Sequence, residues 1–459
     1  MRDRWVLVGV AGALSFVAML DMNIVNVALA DIAAGLDASA ATAQWAVLGY
    51  QLPVVALLLP VGRLLDGGGV RPALLAATAG FALCSALAAL APWAAWLIGA
   101  RVGQGVCAAV LFVLMPVLAV RAVRPEARGR AMSVPATLGP LGAVTGPAVG
   151  GLLLDHLGWR WVFLVKIPFC LLALAVAWKA MPEDGTPRRP DRRSLSDALA
   201  VAGGVGLLLL ALTLGAERPP LLLLAAVAVP PLWWWLRGPG GRPVTGVLRA
   251  AGLFRAHGAV LALAAGFAAM HYVVALHLRQ DGGVSATATG LTVLAFPLGM
   301  ALAGPLGGRL ADSRLRSNRR APLGFRPVSV TGAALTAAGL LLLIPLDAGW
   351  SPLDVAWRLA VAGIGMGLNG GPTQALVLGA APPERIATVG STVQVARSLG
   401  FALGPALAIA AWTLAGSGGG AWAGLTTAAV AACLAVALLA LPGRRSVPGR
   451  VRATDKVPT

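Results

Sequence analysis

The stretch PEARGRAMSVPATLGPLGAVTGP, residues 125–147, returns as PERIATVGSTVQVARSLGFALGP at residues 383–405. Pro125, Glu126, Ser133, Gly142, Gly146 and Pro147 align with Pro383, Glu384, Ser391, Gly400, Gly404 and Pro405 at one constant offset. A shorter pair, Gly62-Arg63-Leu64-Leu65-Asp66 and Gly308-Arg309-Leu310-Ala311-Asp312, repeats ahead of each. Internal duplication in a strongly apolar chain marks a membrane protein built from paired helical repeats around a site at the midplane. Outward from the repeats, apolar runs of about twenty residues, enough to cross a ~30 Å hydrocarbon core, follow one another from Trp5 to Leu441. About fourteen such spans are expected, the first at 5–30 and the sixth at 159–180, with a nearly featureless pair at 196–215 and 219–236. The expected architecture is all-α and integral to the membrane. A six-helix bundle covers 1–181, a linker with two inserted transmembrane helices 182–255, a second six-helix bundle 256–442, and a tail 443–459.

Composition supports the bilayer as solvent. The 459 residues are 58% hydrophobic and 12% charged, with mean hydropathy +0.81, against roughly 25% charged in a soluble domain. A net charge of +18 suggests nucleic acid only until the basic residues are placed. Apart from Arg160, Arg218, Arg279 and Arg358 near alternate loops, and Arg101, Lys166 and Arg397 within spans, all lie at the termini or in even-numbered loops. The positive-inside rule then puts both termini in the cytoplasm of a multi-pass plasma-membrane protein. The runs Arg188, Arg189, Arg192, Arg193 and Arg314, Arg316, Arg319, Arg320 read as topology signals beside anionic lipid, not as a nucleic-acid surface. Cys84, Cys107, Cys170 and Cys433 fall in apolar spans without metal-ligand spacing, so neither disulfide nor metal is expected. None of the lysines (Lys166, Lys179, Lys456) follows a glycine, so the phosphate loop's Gly-Lys pair is absent, and no cofactor or enzymatic centre is expected.

Three further motifs carry a resemblance. The run Leu20-Asp21-Met22-Asn23-Ile24-Val25-Asn26-Val27-Ala28-Leu29, the loop from Gly62 to Arg71, and Arg101-Val102-Gly103-Gln104-Gly105 together resemble the fourteen-helix drug:proton antiporter family of the major facilitator superfamily. Gly146-Pro147-Ala148-Val149-Gly150-Gly151, followed by Trp159-Arg160-Trp161-Val162-Phe163, is similar to the fifth-helix motif associated there with antiporters. The resemblance implies proton-coupled export of small amphiphilic drugs or antibiotics by alternating access, from a monomer. It also implies that Asp66 with Arg71 latches the cytoplasmic side, the alternative being ordinary helix-end chemistry. A proton-coupled importer on the same fold is the competing function. Departures are Gly67 in place of the usual basic residue and Lys166 in place of the usual Asn.

An ionisable group at membrane depth costs at least roughly 2.5 to 3.5 kcal/mol, so each needs a partner or a purpose. At ~1.5 Å per residue, Asp21 lies about 24 Å along the first span, and Arg101 and Lys166 enter from the far side by about 12 and 10 Å. All three share one layer. Either Asp21 carries the proton with Arg101 as its electrostatic switch, or a permanent ion pair fixes packing. Lys166 is expected to snorkel toward the outer interface. Asn26, Trp45, Tyr50, Gln51, Gln104, His271, Tyr272, Asn369 and Gln374 supply the polar and aromatic groups for a small-molecule pocket. Trp45 and Tyr50 are alternatively interface anchors, and His271 a packing residue. Gly142, Gly146 and Gly150, like Gly400 and Gly404, form bare strips beside the helix-bending Pro147 and Pro405. The strips are either sliding surfaces between the halves or static packing.

Overall fold

The computed structural model describes residues 3–66, 68–185, 192–214, 219–280, 282–312, 325–347, 349–416 and 419–441. Gly67, Arg188, Arg189, Arg314, Arg316, Arg319, Arg320 and the tail 443–459 lie outside the described residues. All regular structure among the described residues is helical. The first half comprises α1 (Trp5–Val27), α2 (Leu29–Gly35), α3 (Ala40–Leu65), α4 (Val70–Ala89), α5 (Ala94–Arg121), α6 (Arg128–Leu157), α7 (Trp161–Leu164) and α8 (Ile167–Ala180). Then come α9 (Arg192–Leu214), α10 (Leu223–Arg237) and α11 (Gly241–Ala250). The second half comprises α12 (Phe254–Gln280), α13 (Ala286–Asp312), α14 (Phe325–Leu341), α15 (Pro352–Gly379), α16 (Ile386–Ala415) and α17 (Gly420–Ala440).

Ten helical stretches among the described residues are long and apolar enough to cross a bilayer. The other four expected spans are also helical. Three are shorter apolar helices, Ser196–Ala211, Leu223–Arg237 and Phe325–Leu341, and the fourth is α15, whose Asp354, Arg358, Asn369 and Gln374 dilute an apolar run. Two expected spans are broken. The first ends at Val27 and continues as α2, and the sixth divides at Lys166, where Pro168 in the first turn of α8 has no N–H to extend the preceding helix. The polar break before residue 254 contains α11, which buries Gly241, Val244 and Leu248 on one side.

Local chemistry fixes the helix ends. The Ser39 hydroxyl accepts the Thr42 N–H at 3.2 Å, capping α3, and Ser351 with Asp354 forms a reciprocal capping box on α15. Gly158, at φ +84°, closes α6 in a conformation that disfavours a side chain.

The duplication seen in the sequence is a duplication of packing. α1 lies along α6 as α12 lies along α16, α3 and α4 flank α5 as α13 and α14 flank α15, and α4 meets α8 as α14 meets α17. Between halves, α6 packs on α13 and α3 on α16. α9 lies against α3, tied by Arg63 Nη1 to Asp197 Oδ2 at 2.9 Å, and α10 packs on α9.

Candidate functional site

The expected ionic layer exists, and it is fully buried. Asp21 on α1, Arg101 on α5 and Lys166 at the α7–α8 break are each 0% exposed. Arg101 Nη1 donates to Asp21 Oδ2 and to Gln104 Oε1, both at 2.7 Å, and its Nε donates to the Ala46 carbonyl at 2.7 Å. Lys166 Nζ donates to Asp21 Oδ1. Gln104 Nε2 donates to Ser85 Oγ at 2.7 Å and reaches Asp21 Oδ1 at 3.4 Å. The Tyr50 ring lies 4.3 Å from the guanidinium carbon of Arg101, a favourable cation–π placement. Lys166 therefore does not snorkel outward. The buried carboxylate lies within its reach, and pairing with it offsets desolvation better than stretching past apolar neighbours. Two cations share one carboxylate, so the cluster carries one excess positive charge when all three groups are ionised.

A cavity of about 1220 Å³, counting its open mouth, lies between the halves. Met19, Met22, Phe112, Phe267, Met300 and Met366 make most of it apolar, while Ser15, Asn369, Thr373, Gln374, Gln394 and Arg397 bring polar groups to its wall. Of the nine residues expected in a pocket, Asn369 and Gln374 line it. The other seven do not. Tyr50 and Gln104 belong to the ion cluster. His271 packs against Phe267 with ring centroids 4.3 Å apart and the planes tilted by 43°. Trp45 and Tyr272 are exposed large side chains, as interface anchors or lipid-facing groups are. Asn26 is exposed, its Nδ2 turned back to the Met22 carbonyl at 3.4 Å, and Gln51 is partly buried away from the wall.

Sequence reading placed Arg397 inside a span without assigning it to the pocket. The signal was present, because the position in register with it in the first half is Gly139, which lines the same cavity. Small-for-charged replacement within a repeat marks where two symmetric walls differ chemically.

At one end of the bundle, which we call the Asp66 end, the two halves interlock symmetrically. Asp66 Oδ1 accepts the Ala387 N–H at 3.0 Å and the Thr388 N–H at 3.3 Å, and Oδ2 accepts the Thr388 hydroxyl. Asp312 accepts the Gly129 N–H at 2.8 Å and the Arg130 N–H at 2.7 Å. Gly129 and Arg130 are the repeat counterparts of Ala387 and Thr388. Each carboxylate thus caps the opposite half's helix, where free N–H groups and the helix dipole favour an anion. Burial pushes the Asp66 carboxyl above the usual carboxylate range, with the bonds from Thr388 and Ala387 acting against it.

The Asp66–Arg71 pairing expected from the resemblance is absent in this conformation. Arg71 Nη1 pairs with Glu183 at 3.1 Å and its Nη2 donates to the Trp178 carbonyl at 3.0 Å. The helix terminus offers Asp66 three donors in one place, which outcompetes a single flexible arginine. No room separates the halves here: a Cβ on Gly62 would stand 2.7 Å from Ser391 Cβ, and one on Gly308 would stand 2.6 Å from the Gly129 carbonyl.

Of the two readings of the glycine strips, the contacts correspond to packing. Gly142 lies against the Phe16 backbone, Gly146 against Asn23 and Ile24, and Gly150 against Ile24, all on α1 of the same half. Gly400 and Gly404 lie against Leu261 and Ala265 on α12. They are close-packing faces within each half, not surfaces between halves, while Gly151 faces open space. Pro147 and Pro405 sit inside α6 and α16.

Comparison with known proteins places these features. Residues 11–251 and 258–459 match the Major Facilitator Superfamily. The chain is 31% identical to the multidrug resistance protein Stp of Mycobacterium tuberculosis (strain H37Rv), over 86% of this chain and 74% of that one. It is 29% identical to a probable actinorhodin transporter of Streptomyces coelicolor (88% and 72%) and 26% identical to the riboflavin transporter RibZ of Clostridioides difficile (88% of each). In fold it is similar to the crystal structure of the human organic anion transporter MFSD10 (TETRAN), with TM-score 0.66, 18% identity, and coverage of 96% of this chain and 100% of that one.

Proposed function

The chain belongs to the major facilitator superfamily of membrane transporters, and from that premise we propose that it exports small amphiphilic molecules in exchange for protons. The observation that carries this reading is the position of α1. One helix presents Asp21 to the buried ion cluster and Ser15, Met19 and Met22 to the central cavity. A proton added to Asp21 weakens its hold on Arg101 and Lys166, leaving two buried cations without an anion. The first half must then rearrange, and the cavity wall moves with it.

The moving bodies in this reading are the bundles 1–181 and 256–442, joined by 182–255 with its two inserted helices. With the basic loops in the cytoplasm, the Asp66 end faces inward, and the Asp66 and Asp312 interlock is the inner gate, closed here. The protein works as a monomer in the plasma membrane, surrounded by lipid. Relatives named as multidrug resistance and actinorhodin transporters support an amphiphilic cargo, as does the methionine- and phenylalanine-rich wall, since methionine repacks readily around varied ligands. One proton crossing 100 mV supplies roughly 2.3 kcal/mol, about a fifty-fold gradient of neutral cargo.

The test is Asp21→Asn in proteoliposomes, beside Asp21→Asn/Lys166→Gln, which brings the cluster back from the two excess positive charges of Asp21→Asn to the single one of wild type. Both are expected to lose pH-driven transport, with the double variant, which strands one buried cation, more thermally stable than Asp21→Asn, which strands two. Transport that still follows the pH gradient in the double variant overturns the assignment.

A further inference from the structure

Arg397 is a cation on the wall of an otherwise uncharged cavity. Among the described residues no Asp or Glu lines that cavity, and no carboxylate lies within salt-bridge distance of the Arg397 guanidinium. This contrasts with Arg101 and Lys166, which the fold supplies with Asp21. Arg397 has an amide partner instead. The hydrogen-bond network orients the Gln374 carboxamide with its oxygen toward the guanidinium, accepting from both terminal nitrogens. One amide oxygen leaves the five-donor fork of an arginine largely unused and its charge uncompensated.

A second group lining the same cavity is also unsatisfied. Thr373, next to Gln374 on α15, is 2% exposed and lines the cavity, and its Oγ1 has no hydrogen-bond partner. Buried polar atoms are nearly always paired, so an orphaned hydroxyl on the same cavity wall as an unbalanced cation marks a place where something else binds. Arg397 lies about 16 Å along α16 from Ile386, close to the bilayer midplane, with Phe401 one turn further on and Phe267 across from it on the same wall.

We propose that the cavity binds amphiphilic organic anions, a carboxylate or similar planar oxyanion on an aromatic or aliphatic body. The anion takes the free guanidinium edge of Arg397 and the Thr373 hydroxyl, while its apolar body lies among Met300, Met366, Phe267 and Phe401. Charge balance drives the selection: the ligand contributes the carboxylate that the fold omits, in a low-dielectric site where an arginine–carboxylate pair is bidentate and strong. A cationic drug of the same shape meets repulsion at the same point.

This rests on the cavity being the cargo site of the proposed transporter, but it is tested by binding alone, without a gradient. The protein is placed in lipid nanodiscs, and fluorescence anisotropy is recorded with fluorescein, its methyl ester and the cationic xanthene rhodamine 6G. Wild type is expected to bind fluorescein at least tenfold tighter than the ester. Arg397→Gln is expected to erase that preference, Arg397→Lys to keep part of it, and Arg397→Glu to reverse it toward rhodamine 6G. Thr373→Val is expected to weaken fluorescein several-fold and leave the ester unchanged. Equal binding of the three dyes by wild type, no binding of fluorescein, or a preference untouched in Arg397→Gln overturns the proposal. Anion-selective binding without pH-driven transport leaves the site standing and removes the export reading. Proton-coupled transport of a cationic drug with no anion preference does the reverse.

Discussion

Cutting the interlock at the Asp66 end has a consequence that can be sized from the geometry. Asp66→Ala leaves the Ala387 and Thr388 N–H groups and the Thr388 hydroxyl without their acceptor in the closed form, whereas water satisfies them once the halves part. An unsatisfied buried donor costs about 1 to 3 kcal/mol. Taking about 2 kcal/mol for the group, closure weakens roughly thirty-fold. Asp312→Ala removes the acceptor of Gly129 and Arg130 at a separate helix pair, so the two losses should nearly add, to about 4 kcal/mol. The assay is pulsed electron paramagnetic resonance on a chain without native cysteines, spin-labelled at Glu126→Cys and Glu384→Cys, exposed repeat counterparts at this end. The single variants are expected to populate a longer distance and the double variant to be dominated by it. Proton linkage gives the same system an internal check. Burial raises the Asp66 pKa in the closed form, so closure holds that proton more tightly than the open form does. Acidification therefore favours closure, and the preference is lost as pH rises from the ordinary carboxylate range through the raised value. A distance distribution unchanged in the double variant would refute the gate.

Three further outcomes follow from the packing and the charge count. Gly146→Leu forces a branched side chain where a bare Cβ would already meet Asn23 Cβ and the Ile24 nitrogen at 3.1 Å. It is expected to lower the thermal midpoint through overpacking of about 1 to 3 kcal/mol, while Gly151→Leu, facing open space, leaves it unchanged. Lys166→Gln leaves Asp21 with Arg101 as a balanced pair and is expected to change thermal stability by less than about 1 kcal/mol. Asp21→Asn alone strands two buried cations and is expected to lose about 3 to 5 kcal/mol; differential scanning fluorimetry of the two separates a structural from an idle lysine.

The duplication was legible because residues with little freedom to change survive in both halves: glycines under a crossing backbone at one constant offset, and, at a shorter spacing, the acids Asp66 and Asp312. The ionic layer was legible because helical rise alone places Asp21, Arg101 and Lys166 at one depth. Partner choice was not legible. Asp66 is capped by donors more than three hundred residues away, and nothing local to the Gly62–Arg71 loop announces that it prefers a helix terminus to Arg71. Lys166 turned inward for the same reason: its direction depends on whether another helix brings an acid within reach. The pocket was hardest, since helices in a bilayer are apolar toward lipid and toward each other. The 3.6-residue pattern that separates inside from outside in water is therefore lost, and Tyr272 and Trp45 look like cavity residues until the bundle is assembled.

The most direct measurement is the sense of coupled flow in proteoliposomes holding a pH-sensitive dye, under an inward proton gradient, with wild type and the Asp21→Asn/Lys166→Gln variant side by side. The account expects substrate-evoked proton movement opposite to the substrate in wild type, and none in the variant. Proton and substrate moving together, or the same flux in the variant, would contradict it.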